Sequence, residues 1–299
     1  MKKQFKKSLV SLFVLGCSAT LLSACNKTPN FDGMSGSELL IALHEQMLKD
    51  HTTYIKYTDF QKYCVGSNKL YSIDRKSESD KSLVGFYTGK LQSGYSGFTR
   101  EHVWACANSS GLWVHGNNKP VDTKYNVDNS AYKGGGSDLY HIRPCTSAIN
   151  TKRGSAKLYV FPATAVKDST YYEHTDGGPY IIKTDTDGDY ANKFEPANEN
   201  KGDMARILMY VYTHYSSIGD NSEVDEEVRG YLGALNLRDV FNSGYSLKEV
   251  QDIIVEWNEL DPPDETEKLR NDTVEKIQGN RNPFVDHPEY IKKIFQEEE

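Results

Sequence analysis

The sequence is poor in cysteine, and this limits the kinds of site that it can form. It contains five Cys in 299 residues, and the three in the body of the chain are Cys64, Cys106 and Cys145. They form no CxxC pair, so a structural zinc site of the usual spacing is not indicated. If disulfides form, an odd number leaves one thiol over, and the spacing assigns no pairing among the three.

Motifs of several common enzyme classes are also absent. The sequence contains no HExxH, which excludes the zincin type of metalloenzyme by its motif, no GxSxG and no Walker-A loop. No internal repeat is present, and no glycine- or proline-rich linker separates two halves. Disorder is excluded as the main state, because 20 Tyr, 11 Phe and 3 Trp are too many aromatic residues for a solvated coil. The chain therefore predicts one folded domain.

Acidic residues are missing from the first 25 positions, which contain four lysines followed by an uncharged apolar run. This pattern is typical of a signal peptide, and the run is too short for a comfortable membrane span. It ends in Leu22-Ser23-Ala24-Cys25, which resembles the lipobox of bacterial lipoproteins. Cys17 is a rival cleavage position with a shorter run before it. A plain transmembrane anchor is the alternative interpretation.

We accordingly expect three segments. Residues 1–24 are the cleaved lipoprotein signal peptide, 25–34 the lipidated Cys25 with a short tether, and 35–299 one domain. The mature protein is then exported and held by its lipid at the outer face of a bacterial membrane. We expect it to be a monomer.

The net charge of −7 argues at first sight against a nucleic-acid partner, but the charge is unevenly distributed. Residues 84–157 contain nine Lys and Arg against four Asp and Glu, a sum of +5. Residues 158–299 contain 14 against 30, a sum of −16. One basic stretch therefore lies inside an otherwise acidic protein, and it is where we expect a polyanion to bind.

Apolar periodicity predicts several helices. Ser35 with Glu38 forms a candidate capping box before Leu40, Leu43 and Met47. Ser246 with Glu249 is a second candidate box, ahead of Val250, Ile253, Ile254 and Trp257. Further helices are predicted from an apolar stripe (Met204, Ile207, Leu208, Val211, Tyr215), between Asp264 and a stop at Gly279, and after His287-Pro288. Residues 52–98 predict only short strands and loops. The fold class is mixed α+β, mainly helical in its C-terminal half.

Two polar clusters lie in the basic stretch. The first is Arg100-Glu101-His102, between apolar β-forming residues, and the second runs from Asp138 through His141 to Arg143-Pro144. Pro144 suits the first turn of a helix and Gly154 its stop, which predicts a helix of about ten residues. That helix would hold Asn150, with Arg153 one turn further on. A strand, a second strand and this helix form a ββα arrangement that could clamp one metal ion.

These residue types suit phosphodiester hydrolysis. The reaction needs a base to activate water and a cation to offset charge on the phosphoryl and leaving oxygens. A neutral histidine such as His102 can serve as the base. Mg²⁺ prefers oxygen ligands, which Glu101 and Asn150 supply, and arginines can grip phosphate. Adjacent strand residues point to opposite faces, so we predict a strand end or bulge at Glu101-His102.

The same motifs resemble those of the bacterial endonuclease I family, secreted nucleases of the His-Me finger (ββα-metal) superfamily. The resemblance rests on Arg100-Glu101-His102-Val103-Trp104 and on Asp138-Leu139, Arg143-Pro144, Asn150 and Arg153. It continues at Lys201-Gly202-Asp203-Met204-Ala205-Arg206, at Arg270-Asn271 and from Gln278 to Glu289. The resemblance implies a ββα-metal core embedded in the α+β domain.

It also implies roles at the matching positions. Glu101 and Asn150 would ligate the divalent ion, expected to be Mg²⁺ with Mn²⁺ or Ca²⁺ as alternatives, and His102 would be the general base. Arg143 and Arg153 are candidates for the arginine that supports the scissile phosphate, and Arg100 is a third.

Other matching positions have supporting or structural roles. Asp138 and His141 are candidates for supporting roles around the site. For Arg206 and Arg281 a structural salt bridge is favoured. The family has His directly after Asp-Leu, whereas this chain has Tyr140, for which the Tyr140 hydroxyl or His141 could substitute.

The leading hypothesis is a metal-dependent endonuclease of low sequence specificity that cuts extracellular DNA and also RNA. One alternative is a surface lipoprotein that binds nucleic acid without cutting it. Another is a metal-dependent phosphodiesterase acting on small substrates. The intact set of Glu101, His102 and Asn150 speaks against the first alternative, and the length of the basic stretch speaks against the second.

Overall fold

The computed structural model describes residues 31–65, 72–105, 114–115, 119–120, 134–162, 171–185, 192–220, 222 and 232–296. The predicted signal peptide, Cys25 and Cys106 lie outside these residues. The described residues belong to the unit Phe31–Glu299. None of the helices among them is both long and apolar enough to cross a bilayer.

The described part of the chain contains eight α-helices. They are α1 (Gly36–Asp50), α2 (Phe60–Val65), α3 (Ser147–Arg153), α4 (Lys201–Tyr215), α5 (Leu247–Leu260), α6 (Glu265–Gln278), α7 (Pro283–Asp286) and α8 (Glu289–Ile294). The α4 helix packs against both α1 and α5 and is buried along almost its whole length. Its predicted apolar stripe is therefore confirmed, and α4 is the central helix of the core.

The helix ends test the capping predictions. Ser246 and Glu249 form the predicted capping box of α5, and α6 begins after Asp264 and stops at Gly279, whose φ is +97°. The box predicted at Ser35 is wrong, because the Ser35 side chain makes no capping hydrogen bond. The next residue, Gly36, has a φ of +56°, so this turn departs from the backbone geometry that a capping box needs. The α2 helix, within the stretch predicted as strands and loops, was missed.

The strands are short and form several small sheets. One sheet has four strands in the order β7 (Lys157–Leu158), β10 (Lys193–Glu195), β9 (Ile182–Asp185) and β8 (Tyr171–His174). Two antiparallel pairs are β1 (Leu83–Val84) with β2 (Leu91–Gln92), and β4 (Val114–His115) with β5 (Lys119–Pro120). The described fold is thus mixed α+β, as predicted.

The remaining pair carries the predicted functional residues. Strand β3 (Phe98–His102) runs antiparallel to β6 (Ile142–Thr146), with Glu101 opposite Arg143 and His102 opposite Ile142. The α3 helix follows β6 directly and contacts both strands. Pro144 lies inside β6, where its carbonyl accepts a hydrogen bond from the Phe86 N–H at 2.7 Å. The prediction that Pro144 opens the helix is therefore wrong, since α3 begins only at Ser147.

Candidate functional site

The site is built around the end of β3. The strand ends at His102, which is the strand end predicted from the opposite directions of Glu101 and His102. Glu101 is buried, with 3% of its surface exposed, whereas His102 is only partly buried. Two adjacent side chains of different chemistry therefore leave the same strand end in different environments.

The Glu101 carboxylate is held by a tyrosine. The hydroxyl of Tyr87 donates a hydrogen bond of 2.7 Å to Oε1 of Glu101 inside the core. Burial raises the pKa of Glu101 to about 7, while the positive charge of Arg153 and the Tyr87 hydrogen bond act to lower it. A cation near this carboxylate would also favour its charged form.

Asn150 reaches β3 from α3. Its Nδ2 donates to the Thr99 hydroxyl at 2.8 Å and to the Arg100 carbonyl at 3.1 Å. Both hydrogens of the amide nitrogen are thereby used in hydrogen bonds to β3, and the amide oxygen is the atom with which Asn150 can bind a cation. Thr99 and Glu101 share one face of β3, so the amide of Asn150 and the carboxylate of Glu101 approach the strand from the same side.

The ring of His102 has a defined tautomer. Its Nε2 lies 2.8 Å from the Gly136 carbonyl oxygen, which can only accept a hydrogen bond. Nε2 therefore carries the proton, and in the neutral ring Nδ1 has the lone pair. Burial, with a smaller effect of His141, lowers the pKa of His102 to about 3, so the ring is neutral at physiological pH.

His141, directly before β6, supports this arrangement. Its Nδ1 donates to the Gly135 carbonyl at 2.6 Å, and its Nε2 accepts from the Trp104 N–H at 3.0 Å. The ring lies 5.3 Å from that of His102, and burial lowers its pKa. His141 therefore connects the glycine segment, residues 134–136, to the chain that follows β3.

Tyr140, which stands where the resemblance leads one to expect histidine, points elsewhere. Its single hydroxyl hydrogen is shared between the carbonyls of Asn271 and Asn280, whose oxygens lie 3.1 and 3.0 Å from the hydroxyl oxygen. Of the two residues considered as substitutes, His141 is the one that contacts His102. Tyr140 instead fastens the start of β6 to the C-terminal helices.

The three candidate arginines occupy different environments. Arg143 is buried, donates from Nε to Asp74 at 2.9 Å and lies over the Phe86 ring. Arg153 is fully buried and, among the described residues, donates to the backbone carbonyls of Gly154, Ala156 and Val103.

Arg100 differs from both. It is partly exposed, and its guanidinium lies 4.1 Å from the centre of the Tyr57 ring. Among the described residues no carboxylate forms an ion pair with it. The structure thus brings all three arginines close to β3 but gives their charged groups different partners.

Two further arginines have the structural roles that were favoured. Arg206 is buried and paired with Glu267 and Asp203. Arg281 pairs with Asp272, Glu275 and Asp286 at the surface of the C-terminal helices.

Asp138 is buried at the centre of a hydrogen-bond network. Its Oδ2 accepts from the hydroxyls of Tyr210 and Tyr215 at 2.7 and 2.6 Å, and its Oδ1 accepts from the Tyr140 N–H. Together with His51 and His214 it also forms a buried group of ligand-type atoms that could hold a metal ion.

Sequence reasoning missed several residues that shape the site. They are Tyr57, Asp74, Tyr87, Thr99, Gly135 and Gly136. All act through contacts with residues distant in the chain or through backbone carbonyls, and no motif in the sequence marks them.

A carboxylate, an imidazole, an amide and a guanidinium around one strand end are the groups with which a hydrolase can cleave a phosphodiester. Comparison with known proteins agrees with this class. The family model described as Endonuclease I matches residues 38–289. The chain belongs to the endonuclease I family and is therefore a nuclease, a hydrolase acting on nucleic acid.

Curated relatives support this assignment. The chain is 30% identical to an extracellular ribonuclease of Bacillus subtilis (strain 168) over 271 residues, covering 88% of this chain and 76% of the relative. It is 29% identical to an extracellular ribonuclease of Bacillus amyloliquefaciens over 270 residues, covering 88% and 75%. It is 23% identical to Endonuclease-1 of Buchnera aphidicola subsp. Baizongia pistaciae (strain Bp) over 221 residues, covering 73% of each.

Proposed function

We propose that this protein is a metal-dependent, largely sequence-nonspecific endonuclease that hydrolyses phosphodiester bonds in extracellular DNA and RNA. Strands β3 and β6 with helix α3 are its ββα-metal core. The observation that carries the proposal is the 3.1 Å hydrogen bond from Asn150 Nδ2 to the Arg100 carbonyl. It brings the amide of α3 to the strand that presents Glu101 and His102.

His102 is the general base of the proposed reaction. The Gly136 carbonyl keeps the proton on Nε2, so Nδ1 can take a proton from the attacking water. The water oxygen then forms a bond to phosphorus, the bond from phosphorus to the 3′ oxygen breaks, and the departing 3′ oxygen takes up a proton from solvent to become a hydroxyl. His141 contributes by holding the glycine segment whose carbonyl orients His102.

Glu101 and Asn150 would hold a divalent cation, Mg²⁺ in the first place and Mn²⁺ or Ca²⁺ as alternatives. Their donor atoms fit a hard ion, since one supplies a carboxylate and the other an amide oxygen whose nitrogen is already engaged. Bound there, the ion would offset negative charge on the phosphoryl and leaving oxygens. Tyr87 and Thr99 orient the two ligands, a support that metal sites commonly have.

The alternation of β3 sets how a substrate must lie. Glu101 and His102 leave the strand on opposite faces, and the strand ends at His102. A single phosphodiester can therefore meet both groups only if the nucleic acid crosses the end of β3.

The buried arginines have a supporting role in this proposal. Arg153 places a positive charge near Glu101 and fastens α3 to the Val103 carbonyl. Arg143 lies opposite Glu101 but is held by Asp74.

The named activities of the relatives support the substrate and the location. Two relatives are called extracellular ribonucleases, which favours RNA as a substrate and export from the cell. A third is called Endonuclease-1. We propose that this protein is likewise exported and is anchored by lipid at Cys25. A Cys25→Ser variant should then appear in the soluble rather than the membrane fraction of expressing cells.

The activity is tested with supercoiled plasmid and a long RNA, each incubated with the protein in Mg²⁺ with and without EDTA. We expect nicked and shortened products in Mg²⁺ and none in EDTA. His102→Ala should lower the rate by about 10²- to 10⁴-fold. His287→Ala is the matched control, because His287 lies at the exposed surface of the C-terminal helices and should tolerate the change.

Three results would contradict the proposal. The first is intact nucleic acid after incubation with folded wild-type protein. The second is salt-sensitive retention of DNA without cleavage, which would favour a binding protein. The third is hydrolysis of small phosphate diesters only.

A further inference from the structure

Tyr57 lies against two side chains of β3 at once. Its ring stacks on the His102 ring with the centres 5.4 Å apart and the planes 15° apart. The Arg100 guanidinium lies 4.1 Å from the centre of the same ring. Arg100 and His102 are two residues apart on β3 and share a face, opposite to that of Glu101. Tyr57 therefore covers the face of β3 that presents the proposed base.

Tyr57 is held on a firm support. It begins a short 3₁₀ turn, Tyr57–Asp59, that runs directly into α2. Phe60 and Cys64 of α2 are fully buried in the core. The position of the Tyr57 ring is thus fixed by the packing of α2.

The three candidate arginines differ in the partners of their charged groups. Arg143 is paired with Asp74, and Arg153 donates to backbone carbonyls in the core. Arg100 contacts an aromatic ring, and no carboxylate among the described residues is paired with it. A guanidinium that lies on an aromatic ring keeps its in-plane N–H donors, which match phosphate oxygens in pairs.

We propose that Tyr57 is a positioning residue of the nuclease and that Arg100 is the arginine that grips the scissile phosphate. The Tyr57 ring fixes the spacing between the guanidinium of Arg100 and the imidazole of His102. Arg100 can then bind the same phosphodiester at which His102 activates water. This inference rests on the proposed endonuclease activity.

The test uses kcat and KM on a labelled double-stranded oligonucleotide. Tyr57→Leu removes the ring, and we expect kcat/KM to fall about tenfold, mainly through kcat. Tyr57→Phe keeps the ring and should retain most of the activity. Tyr63→Leu is the matched control, because Tyr63 lies on the short helix α2 and its ring packs against the core.

A double-mutant cycle separates positioning from general damage. Arg100→Ala alone should lower kcat/KM about 100-fold, because a charge-assisted contact to the phosphate is lost. If Tyr57 acts through Arg100, Tyr57→Leu should add little to Arg100→Ala. Thermal unfolding of each variant verifies that the fold is retained.

Four outcomes would overturn the inference. The first two are wild-type kinetics in Tyr57→Leu and wild-type kinetics in Arg100→Ala. The third is a double variant whose loss of kcat/KM equals the product of the two single losses. The fourth is a loss of kcat/KM in Tyr63→Leu as large as that in Tyr57→Leu. Each leaves the endonuclease proposal intact if wild-type protein cuts and His102→Ala does not. Failure of wild-type protein to cut would instead reject the endonuclease proposal itself.

Discussion

His214 donates its Nε2 proton to Nδ1 of His51 across 2.9 Å in the core. The direction follows from the other nitrogen of His51, which lies 3.2 Å from the Thr53 carbonyl and must be the donor there. Nδ1 of His214 then has no hydrogen-bond partner among the described residues. A metal ion held by these two rings and Asp138 would have to replace the shared proton. It would also leave His214 with a buried N–H that lacks an acceptor.

The first prediction concerns acid stability. Burial lowers the pKa of His51 and lowers that of His214 well below its ordinary value. Unfolded histidine titrates near pH 6.5, so below that pH the unfolded chain binds more protons than the folded one. The contribution of this pair to stability is present above about pH 6.5 and is lost as the pH falls, by ~1.4 kcal/mol per pH unit for each proton taken up.

This effect is measured by urea denaturation between pH 8 and pH 5 in EDTA. Other groups also titrate in this range, so the comparison is with the double variant His51→Gln, His214→Gln. We expect the free energy of unfolding of the variant to depend less steeply on pH below 6.5. Equal slopes in the two proteins would contradict the prediction.

The second prediction concerns the hydroxyl that holds Glu101. Tyr87→Phe removes the 2.7 Å hydrogen bond to the carboxylate and leaves the aromatic ring in place. We expect the Mg²⁺ concentration for half-maximal cleavage to rise about tenfold, the effect usual for a residue that supports a metal ligand.

Tyr95→Phe is the control for this change, because the Tyr95 hydroxyl is buried without a hydrogen-bond partner among the described residues. It should leave the Mg²⁺ dependence unchanged. An equal shift in both variants would show that Tyr87 does not act through Glu101.

The third prediction concerns Tyr140. Because its hydroxyl bonds to the carbonyls of Asn271 and Asn280, restoring histidine at this position should not raise the cleavage rate. Tyr140→His should instead lower the free energy of unfolding by about 1–3 kcal/mol, since two buried acceptors lose their donor. Chemical denaturation and single-turnover cleavage measure the two effects. A variant that cuts much faster than wild type would show that the site lacks this histidine.

The fourth prediction concerns Gly202 at the start of α4. A Cβ atom there would overlap the Asp261 carbonyl oxygen, so the backbones of α4 and of Asp261, the residue after α5, would have to separate. Gly202→Ala should lower the free energy of unfolding by about 3 kcal/mol or more. Gly94→Ala, where an added Cβ meets nothing within 4 Å, should stay within about 1 kcal/mol of wild type.

Features set by local chemistry could be predicted from the sequence. The apolar stripe of α4, the Ser246 capping box and the Gly279 stop all depend on residues within a few turns of each other. The Ser35 box has the same residue spacing as the Ser246 box, but it does not form, and the residue after Ser35, Gly36, has a positive φ. Residue spacing does not reveal that backbone angle, so the sequence could not predict the difference. Pro144 was misplaced because it fits a helix start locally, whereas its pairing with Arg100 depends on a strand some 40 residues earlier.

For the candidate site, the sequence names residues but not their environments. Glu101, His102 and Asn150 were proposed from residue type and motif, and in the structure Glu101 and His102 end β3 while Asn150 bonds to that strand. The partners of the three arginines could not be foreseen, because Asp74, Tyr57 and the carbonyls around Arg153 reach β3 only through the tertiary fold. Which arginine has a charge left for the substrate is therefore a property of the folded chain.

The contacts of Gly135 and Gly136 have an evolutionary consequence. The Gly135 carbonyl accepts a hydrogen bond from His141, and the Gly136 carbonyl accepts one from His102. The tautomers of both rings are therefore set by the peptide backbone. A backbone carbonyl is present whatever side chain a residue has, and no single substitution can delete it. Side-chain substitutions in this segment should therefore leave the tautomers of His102 and His141 unchanged, as long as the path of the main chain is preserved.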